Sequence, residues 1–155
     1  MCGIIGYLGK GQAQDSLIDG LKRLEYRGYD SAGVAFHEGD NFSLSRETGR
    51  VKNLAQAVQQ SASSSSLGIA HTRWATHGAV TVSNTHPHVS YDGKFVMVHN
   101  GVIENFGTLK RFLASKGIEF ASETDSEVLC NLIAYHYSEL PESEERFVDS
   151  IRSAL

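Results

Sequence analysis

Hydrophobic and polar residues in the first half of the chain are arranged in a way that predicts strands and a helix. Residues 4–8 are apolar, begin with two β-branched side chains and lie between glycines, which is typical of a strand. Residues 12–25 carry leucines and an isoleucine on one helical stripe and predict an amphipathic helix. Residues 31–37 and 42–48 flank a turn-forming segment, so we expect a β-hairpin there.

The middle of the chain predicts a helix, two strands and a long loop. Residues 51–60 have the spacing of a short helix, and the serine-rich residues 61–66 are expected to form a flexible surface loop. Residues 67–72 predict a further strand, and residues 95–100 are the clearest candidate for a buried strand. The polar stretch between these two strands contains the single tryptophan, and loops of that length are usually functional or disordered.

The last third of the chain predicts helices. Residues 105–116 have helical spacing and are closed by Gly117. Thr124 and Glu127 fit a capping box that opens a helix running to about residue 139. Residues 142–155 again show helical spacing but no closing signal, so we expect the sequence to end inside an element.

These elements together predict an α+β fold. The strands occur mostly in hairpins and the helices are grouped around them, which favours layered sheets covered by helices over a doubly wound series. A length of 155 residues lies near the common domain size, so one domain is expected.

Composition and charge exclude several classes of protein. The 14 Lys and Arg residues are outnumbered by 18 Asp and Glu residues, so the basic excess typical of nucleic-acid binding is missing. No apolar run approaches the roughly 20 residues that cross a bilayer, and the sequence does not begin like a secretory signal. We therefore expect a cytoplasmic protein with neither a membrane nor a nucleic acid as its partner. The two cysteines lie far apart in sequence, which argues against a disulfide framework.

Cys2 is the first candidate for chemistry. If the initiator Met1 is removed, Cys2 carries a free α-amine with a pKa near ~7.7–8, which can act as general base for its own thiol. The same residue would then supply nucleophile and base. The alternative is a small buried apolar side chain, which is the better interpretation of Cys130 in its apolar helix.

Asn100 and Gly101 follow the predicted buried strand and form the second candidate. The Asn amide and a backbone N–H beside a glycine can converge on one point as an oxyanion hole. The alternative is a type I′ or type II turn, for which Asn-Gly is a common signal.

Two further positions suggest binding of a charged substrate. Arg73 lies in the polar loop and suits a bidentate grip on a carboxylate, while the neighbouring Trp74 suits a lid. The alternative places Arg73 on the surface and packs Trp74 under the loop. Asp125 begins a predicted helix, where a carboxylate either serves the helix dipole or holds an ammonium group.

A group of histidines lies close together in sequence. A metal site could use His86 and His88, but no cysteine joins them and no third ligand is obvious. Hydrogen bonds that hold the long loop are the better interpretation, and neither a metal nor a cofactor is expected. The histidines concerned are His71, His77, His86, His88 and His99.

Six motifs occur in one order along nearly the whole chain. They are Met1-Cys2-Gly3-Ile4-Ile5-Gly6, Arg23-Leu24-Glu25-Tyr26-Arg27-Gly28-Tyr29-Asp30-Ser31-Ala32-Gly33, His71-Thr72-Arg73-Trp74-Ala75-Thr76-His77-Gly78, His86-Pro87-His88, His99-Asn100-Gly101-Val102-Ile103-Glu104-Asn105 and Ser122-Glu123-Thr124-Asp125. In this order the chain resembles the glucosamine-6-phosphate synthases, the aminosugar-forming branch of the class II glutamine amidotransferases. The resemblance implies a four-layer αββα sandwich of the N-terminal-nucleophile hydrolase type.

The resemblance also implies roles for site residues. Cys2 would attack the side-chain amide of L-glutamine and form a thioester with release of ammonia, while Asn100 and Gly101 would stabilise the oxyanion. Arg73 would bind the α-carboxylate of glutamine, and Asp125 its α-ammonium group. Thr76 and His77 would line the pocket, Trp74 would move with the closing loop, and Arg27 would support the site near the nucleophile.

In that family the glutaminase domain continues further and is followed by a sugar-phosphate isomerase half, and the full-length proteins are expected to form homo-oligomers. Residues 1–155 are therefore expected to be a partial glutaminase domain, truncated at its C-terminal side, whose partner is the isomerase domain. Two alternatives stay open, an idle fragment of the same fold and the glutaminase domain of another class II amidotransferase.

Overall fold

A computed structural model describes residues 2–61, 63–75 and 79–155. Within these residues one sheet has four antiparallel strands and a second sheet has two. The larger sheet contains, in spatial order, β1 (Gly3–Leu8), β4 (Leu67–Arg73), β2 (Ser31–Glu38) and β3 (Asn41–Thr48). The smaller sheet contains β5 (His88–Val89) and β6 (Val96–Met97).

Two helices cover one face of the larger sheet. They are α1 (Ala13–Leu24) and α2 (Val51–Gln60). Because strand side chains alternate between faces, Val34 and its pairing partner Ala70 both point toward these helices and are fully buried there. Leu17 and Leu54 from the two helices complete this first core.

Three helices accompany the smaller sheet. They are α3 (Phe106–Ser115), α4 (Asp125–Glu139) and α5 (Arg146–Ala154). Helix α4 contacts both short strands and also packs against α3 and α5. A second core forms where α3 meets α4, around Leu113 and Val128.

The two sheets face each other. On the inner face of the larger sheet, a Cβ atom at Gly33 would lie 2.1 Å from the carbonyl oxygen of His86, so only glycine permits this approach. His71, which pairs with Gly33 across the strands, has its ring centroid 4.2 Å from that of His86. The layers therefore follow the order helix, sheet, sheet, helix, and the predicted α+β sandwich is confirmed.

The elements of the first half agree with the sequence patterns. The predicted strand, helix and hairpin occur as β1, α1 and the β2–β3 pair, and the helix of residues 51–60 is α2. In the last third, Gly117 follows α3 with a φ of 84°. Thr124 accepts a hydrogen bond from the Glu127 N–H at the start of α4, as the capping box predicts.

The prediction of a buried strand over residues 95–100 is wrong. Only Val96–Met97 is a strand, and it is half-buried. Its partner β5 has two residues, and within the described ranges no other strand pairs with β6. The apolar residues of this segment are partly buried, but strand pairing ends at Met97.

The serine run is a loop, as expected, and its described residues are mostly exposed; Ser63 is buried, and the Ser65 hydroxyl donates to the carbonyl of His37 at 2.6 Å. One smaller expectation needs correction. The last helix begins at Arg146 rather than at residue 142. No helix among the described residues is long and apolar enough to cross a membrane.

Candidate active site

A cavity of about 510 Å³ lies at one end of the two sheets, within the size range of small-molecule sites. Five chain segments contribute to its wall. The lining residues are Cys2, Arg73, Trp74, His86, His99, Asn100, Gly101, Val102, Thr124, Asp125 and Ser126.

Cys2 is held at this cavity by the strand that follows it. The antiparallel register pairs Gly3 with Thr72, so the beginning of β1 lies beside the end of β4. The Gly3 N–H donates to the Thr72 hydroxyl at 3.0 Å, which anchors the first residues of the chain. The Trp74 N–H then donates to Cys2 Sγ at 3.1 Å. The same sulfur lies 3.7 Å from the Trp74 carbonyl oxygen, so both backbone groups of Trp74 hold the thiol in place.

Asn100 and Gly101 lie beside Cys2 and not in a hairpin turn. Gly101 lacks the positive φ that its place in a type I′ or type II turn requires, so the turn interpretation of Asn-Gly is wrong. Asn100 Nδ2 donates to the Cys2 carbonyl oxygen at 3.3 Å, and Asn100 Oδ1 lies 2.7 Å from His71 Nε2. The amide nitrogen therefore lies on the side of the nucleophile candidate.

Arg73 is the last residue of β4 and is almost fully buried. Its Nη1 lies 3.9 Å from Asp30 Oδ1 and 3.4 Å from the Ala79 carbonyl oxygen. The Asp30 carboxylate also accepts the Ala75 N–H, and the Asp30 backbone N–H donates to the Arg73 carbonyl oxygen. Asp30 therefore holds the backbone on both sides of Trp74. Asp30 had no role predicted from the sequence, although it lies in one of the six motifs.

Trp74 remains 53% exposed even though it lines the cavity. Its ring lies over Gly28, where a Cβ atom would be 3.3 Å from the ring and the φ is 74°. The alternative that packs Trp74 under the loop is therefore wrong. A large exposed ring at a cavity mouth has the position of a cover.

Asp125 is the first residue of α4 and is 8% exposed. Its Oδ2 accepts the Ile103 N–H at 2.8 Å. A carboxylate offers about four lone-pair sites, so it retains acceptor capacity toward the cavity. Asp125 and Arg73 give the wall one negative and one positive side chain.

The segment before α4 is held by Glu127. This side chain accepts the N–H groups of Ala121 and Ser122 at 2.7 Å each and also the Ser122 hydroxyl. In a capping box the carboxylate would reach only to the cap residue. Here it extends further back and fixes the backbone that leads into Thr124 and Asp125.

Three other predicted site residues have different outcomes. Thr76 and His77 lie outside the described residues. Arg27 lies in a short 3-10 helix, where its Nε donates to the Tyr26 hydroxyl at 3.2 Å. It is not among the described residues that line the cavity, and its supporting role stays a prediction.

The buried rings of His71, His86 and His88 pack against one another, and among the described residues the two ring nitrogens of His86 have no hydrogen-bond partner. His88 Nε2 lies 3.0 Å from the Thr124 hydroxyl, and His99 Nδ1 lies 3.1 Å from the Ser126 hydroxyl. Burial lowers the pKa of His71 to about 4 and that of His88 to about 3, and the pKa of His86 falls further still. These rings are neutral near pH 7. Among the described residues no group of three or more His, Cys, Asp or Glu side chains is placed to hold a metal ion.

Comparison with known proteins agrees with this arrangement. The family described as glutamine amidotransferase domain matches residues 57–141, more than half of the chain. The chain belongs to the glutamine amidotransferase domain family. Its fold is that of the N-terminal-nucleophile hydrolases, since it superposes on the glutamine phosphoribosylpyrophosphate amidotransferase of B. subtilis with a TM-score of 0.78 and 25% identity. That match covers 99% of this chain and 32% of the other.

Curated relatives are more similar in sequence. The glutamine–fructose-6-phosphate aminotransferase of Caldanaerobacter subterraneus is 45% identical over 99% of this chain and 26% of the relative. The enzyme of the same name from Chlamydia abortus is 55% identical over 88% of this chain and 22% of the relative. The amidotransferase chain described here thus spans about a quarter of the length of the curated relatives it matches.

Proposed function

We propose that this amidotransferase domain hydrolyses L-glutamine to glutamate and ammonia through a thioester on Cys2. The observation that most supports this proposal is the convergence of a thiol, an amide donor, a buried arginine and a buried carboxylate on one cavity. The four side chains that form it are Cys2, Asn100, Arg73 and Asp125.

The nucleophile is the Cys2 thiol. After removal of Met1, the α-amine of Cys2 takes the thiol proton, and the sulfur attacks the δ-carbon of glutamine. A C–S bond forms while the carbonyl electron pair moves to oxygen. When the tetrahedral adduct collapses, the C–N bond breaks and the proton held by the amine leaves with ammonia. Water then hydrolyses the thioester by the same sequence and releases glutamate.

The oxyanion of both tetrahedral adducts is stabilised by the Asn100 amide and the Gly101 N–H. A donor of this kind lowers a barrier by roughly 3 kcal/mol, because it is oriented before the charge develops. The support for this role is the orientation of Asn100 Nδ2, which already donates to an oxygen of Cys2.

Arg73 and Asp125 bind the substrate as a zwitterion. Arg73 pairs with the α-carboxylate and Asp125 with the α-ammonium group, so a ligand without either group binds weakly. Trp74 closes over the cavity after binding and keeps water from the thioester. Thr76 and His77 are proposed to line the same pocket.

The ammonia has a further use in this proposal. The curated relatives are named as glutamine–fructose-6-phosphate aminotransferases. We propose that the protein that carries this chain also transfers the ammonia to fructose 6-phosphate, and that a sugar-phosphate isomerase domain does so. We further propose a homo-oligomer in the cytoplasm, a compartment that keeps thiols reduced; both described cysteines are free.

The test uses the two cysteines as a matched pair. The purified protein is incubated with L-glutamine and its ammonia release is measured, and a diazoketone analogue of glutamine is used to alkylate it. We expect Cys2→Ala to abolish both ammonia release and alkylation. We expect Cys130→Ala to leave both unchanged, because burial raises the pKa of the Cys130 thiol to about 12 and removes it from solvent.

Mass spectrometry of the alkylated protein decides the outcome. A label on Cys2 in a chain that has lost Met1 supports the proposal. A label on Cys130, or ammonia release that survives Cys2→Ala, overturns it. A labelled but inactive protein would instead support the alternative of an idle domain that binds glutamine.

A further inference from the structure

His71 contacts the proposed oxyanion donor from behind. The residue lies on β4 and is 1% exposed, so its ring is removed from solvent. Its Nε2 lies 2.7 Å from Asn100 Oδ1, a short distance for a hydrogen bond between side chains. Among the described residues that line the cavity His71 does not appear, and it therefore acts on the cavity through Asn100.

The orientation of the Asn100 amide decides whether it can serve an oxyanion. An asparagine can present its Nδ2 or its Oδ1 to a neighbour, and only the N–H group attracts a negatively charged oxygen. In the observed orientation Nδ2 donates to the Cys2 carbonyl oxygen at 3.3 Å. The flipped amide would place two acceptor oxygens against each other. The contacts with Cys2 and with His71 therefore select the same orientation.

The protonation of His71 fits this orientation. Asn100 Oδ1 is an acceptor, so the proton of the neutral ring must be on Nε2. Nδ1 is then an acceptor, and within the described residues it has no hydrogen-bond partner. A buried acceptor without a partner is more common in proteins than a buried N–H without one. The opposite tautomer would remove the bond to Asn100.

The ring of His71 is held in place on several sides. Its strand neighbours in register are Ile4 of β1 and Gly33 of β2. The His86 ring packs against it with centroids 4.2 Å apart, and the His86 backbone is in turn seated on Gly33. A side chain enclosed in this way can orient a partner without reorganising during a reaction.

We propose that His71 is a positioning residue, which donates from Nε2 to Asn100 and keeps the Asn100 amide N–H directed at the oxyanion of the glutamine reaction. This inference rests on the proposed hydrolysis of glutamine. It assigns His71 no contact with substrate. It predicts that His71 matters for the transition state and little for binding of the ground state.

Two variants of equal side-chain length separate this role from simple packing. His71→Gln keeps an N–H donor near the position of Nε2, whereas His71→Met fills similar space without one. We expect His71→Met to lower kcat for glutamine roughly 10- to 100-fold with little change in KM, because a misplaced donor loses much of its effect. His71→Gln should recover activity to within several-fold of the unmodified protein.

Inhibition gives a readout that a structural role would not produce. The Cys2 thiol adds to the carbonyl carbon of L-glutamate γ-semialdehyde, and the carbonyl oxygen then becomes an oxyanion. L-glutamate occupies the cavity without forming one. We expect His71→Met to weaken inhibition by the semialdehyde roughly 10-fold or more and inhibition by glutamate less than about twofold. In an Asn100→Ala background, His71→Met should add little.

Equal weakening of both inhibitors, or an additive loss with Asn100→Ala, overturns the proposal. A second measurement on the unmodified protein covers the case in which the variants do not fold. Nitrogen-15 NMR should find the His71 proton on Nε2, and a proton on Nδ1 overturns the proposal. This measurement needs no activity, so a failure of glutamine hydrolysis is distinguishable from a failure of the His71 contact.

Discussion

The two halves of the molecule are stabilised in different ways. In the first half, long antiparallel strands pair residue by residue and two helices cover an apolar face. In the second half the sheet has two strands of two residues each, and side-chain hydrogen bonds to the backbone hold many of the segments between helices. Regular ladders repeat the same backbone pairing along a strand, whereas such side-chain contacts are specific to each residue.

The second half also supplies most of the cavity wall. Asn84 donates to the Ala79 carbonyl and to Glu123, and Asn131 of α4 accepts the Tyr91 N–H at 2.8 Å. Such contacts hold irregular backbone in place where no ladder is available. The first half therefore provides a paired and packed sheet, while single polar residues of the second half shape most of the site.

The largest expected effect concerns the contact between the halves and its response to acid. His71, His86 and His88 lie between the two sheets with pKa values below the ordinary value, so the folded state disfavours their protonation. Unfolding takes up protons below about pH 6.5, and stability is therefore lost as pH falls toward the folded pKa values. Each group contributes about 1.4 kcal/mol per pH unit, so we expect a slope of up to about 4 kcal/mol per unit.

Urea unfolding between pH 6.5 and 5.5 measures this slope, since carboxylates with ordinary pKa values are ionised throughout that range. His88→Gln should reduce the slope by about one proton. The control is His37→Gln, because His37 is exposed on β2. A free energy of unfolding that does not change over this range would contradict the prediction.

The contact between the halves is tested by two glycines on the inner face of the larger sheet. Gly33→Ala brings a Cβ atom to 2.1 Å from the His86 carbonyl oxygen, and backbone must move to relieve it. We expect a loss of about 3 kcal/mol in the free energy of unfolding, measured in urea. Gly6→Ala is the control, because nothing lies within 4 Å of its added Cβ, and it should change stability by less than about 0.5 kcal/mol. Similar losses in both variants would show that the sheets are not in close contact at Gly33.

The smallest expected effect concerns a single carboxylate of the second half. Glu127→Gln keeps the shape of the side chain but replaces an accepting oxygen by an amide that faces N–H groups of Ala121 and Ser122. We expect a loss of about 2 kcal/mol in the free energy of unfolding. The exposed Glu119→Gln is the matched control and should have no measurable effect. If the two variants unfold alike, the segment before α4 does not depend on Glu127.

The predictability of the fold follows the same division. The β2–β3 hairpin was predicted from sequence because a turn-forming segment separates its two strands, and α1 because its apolar residues repeat with one helical period. The strand predicted over residues 95–100 was wrong because an apolar run reports burial but not the presence of pairing partners. Pairing depends on strands elsewhere in the chain.

The site was predictable where a residue's role is visible in its own motif. Cys2, Asn100, Arg73 and Asp125 were predicted to act together, and the structure brings them to one cavity. Two contacts were missed, that of His71 with Asn100 and that of Asp30 with Ala75. The first joins residues that are 29 positions apart in sequence, and the second joins residues that are 45 positions apart. A single sequence contains no signal for such a pair.

The regular geometry of β4 has a consequence for substrate choice. His71 and Arg73 are two residues apart on the same face of this strand, a separation of roughly 6.7 Å along its axis. His71 is proposed to position Asn100, which donates to the oxyanion. Arg73 is proposed to bind the α-carboxylate at the other end of glutamine. A rigid strand cannot shorten to bring them together. In the proposed reaction asparagine, which is one methylene shorter than glutamine, would not reach the oxyanion donor Asn100 while its α-carboxylate pairs with Arg73.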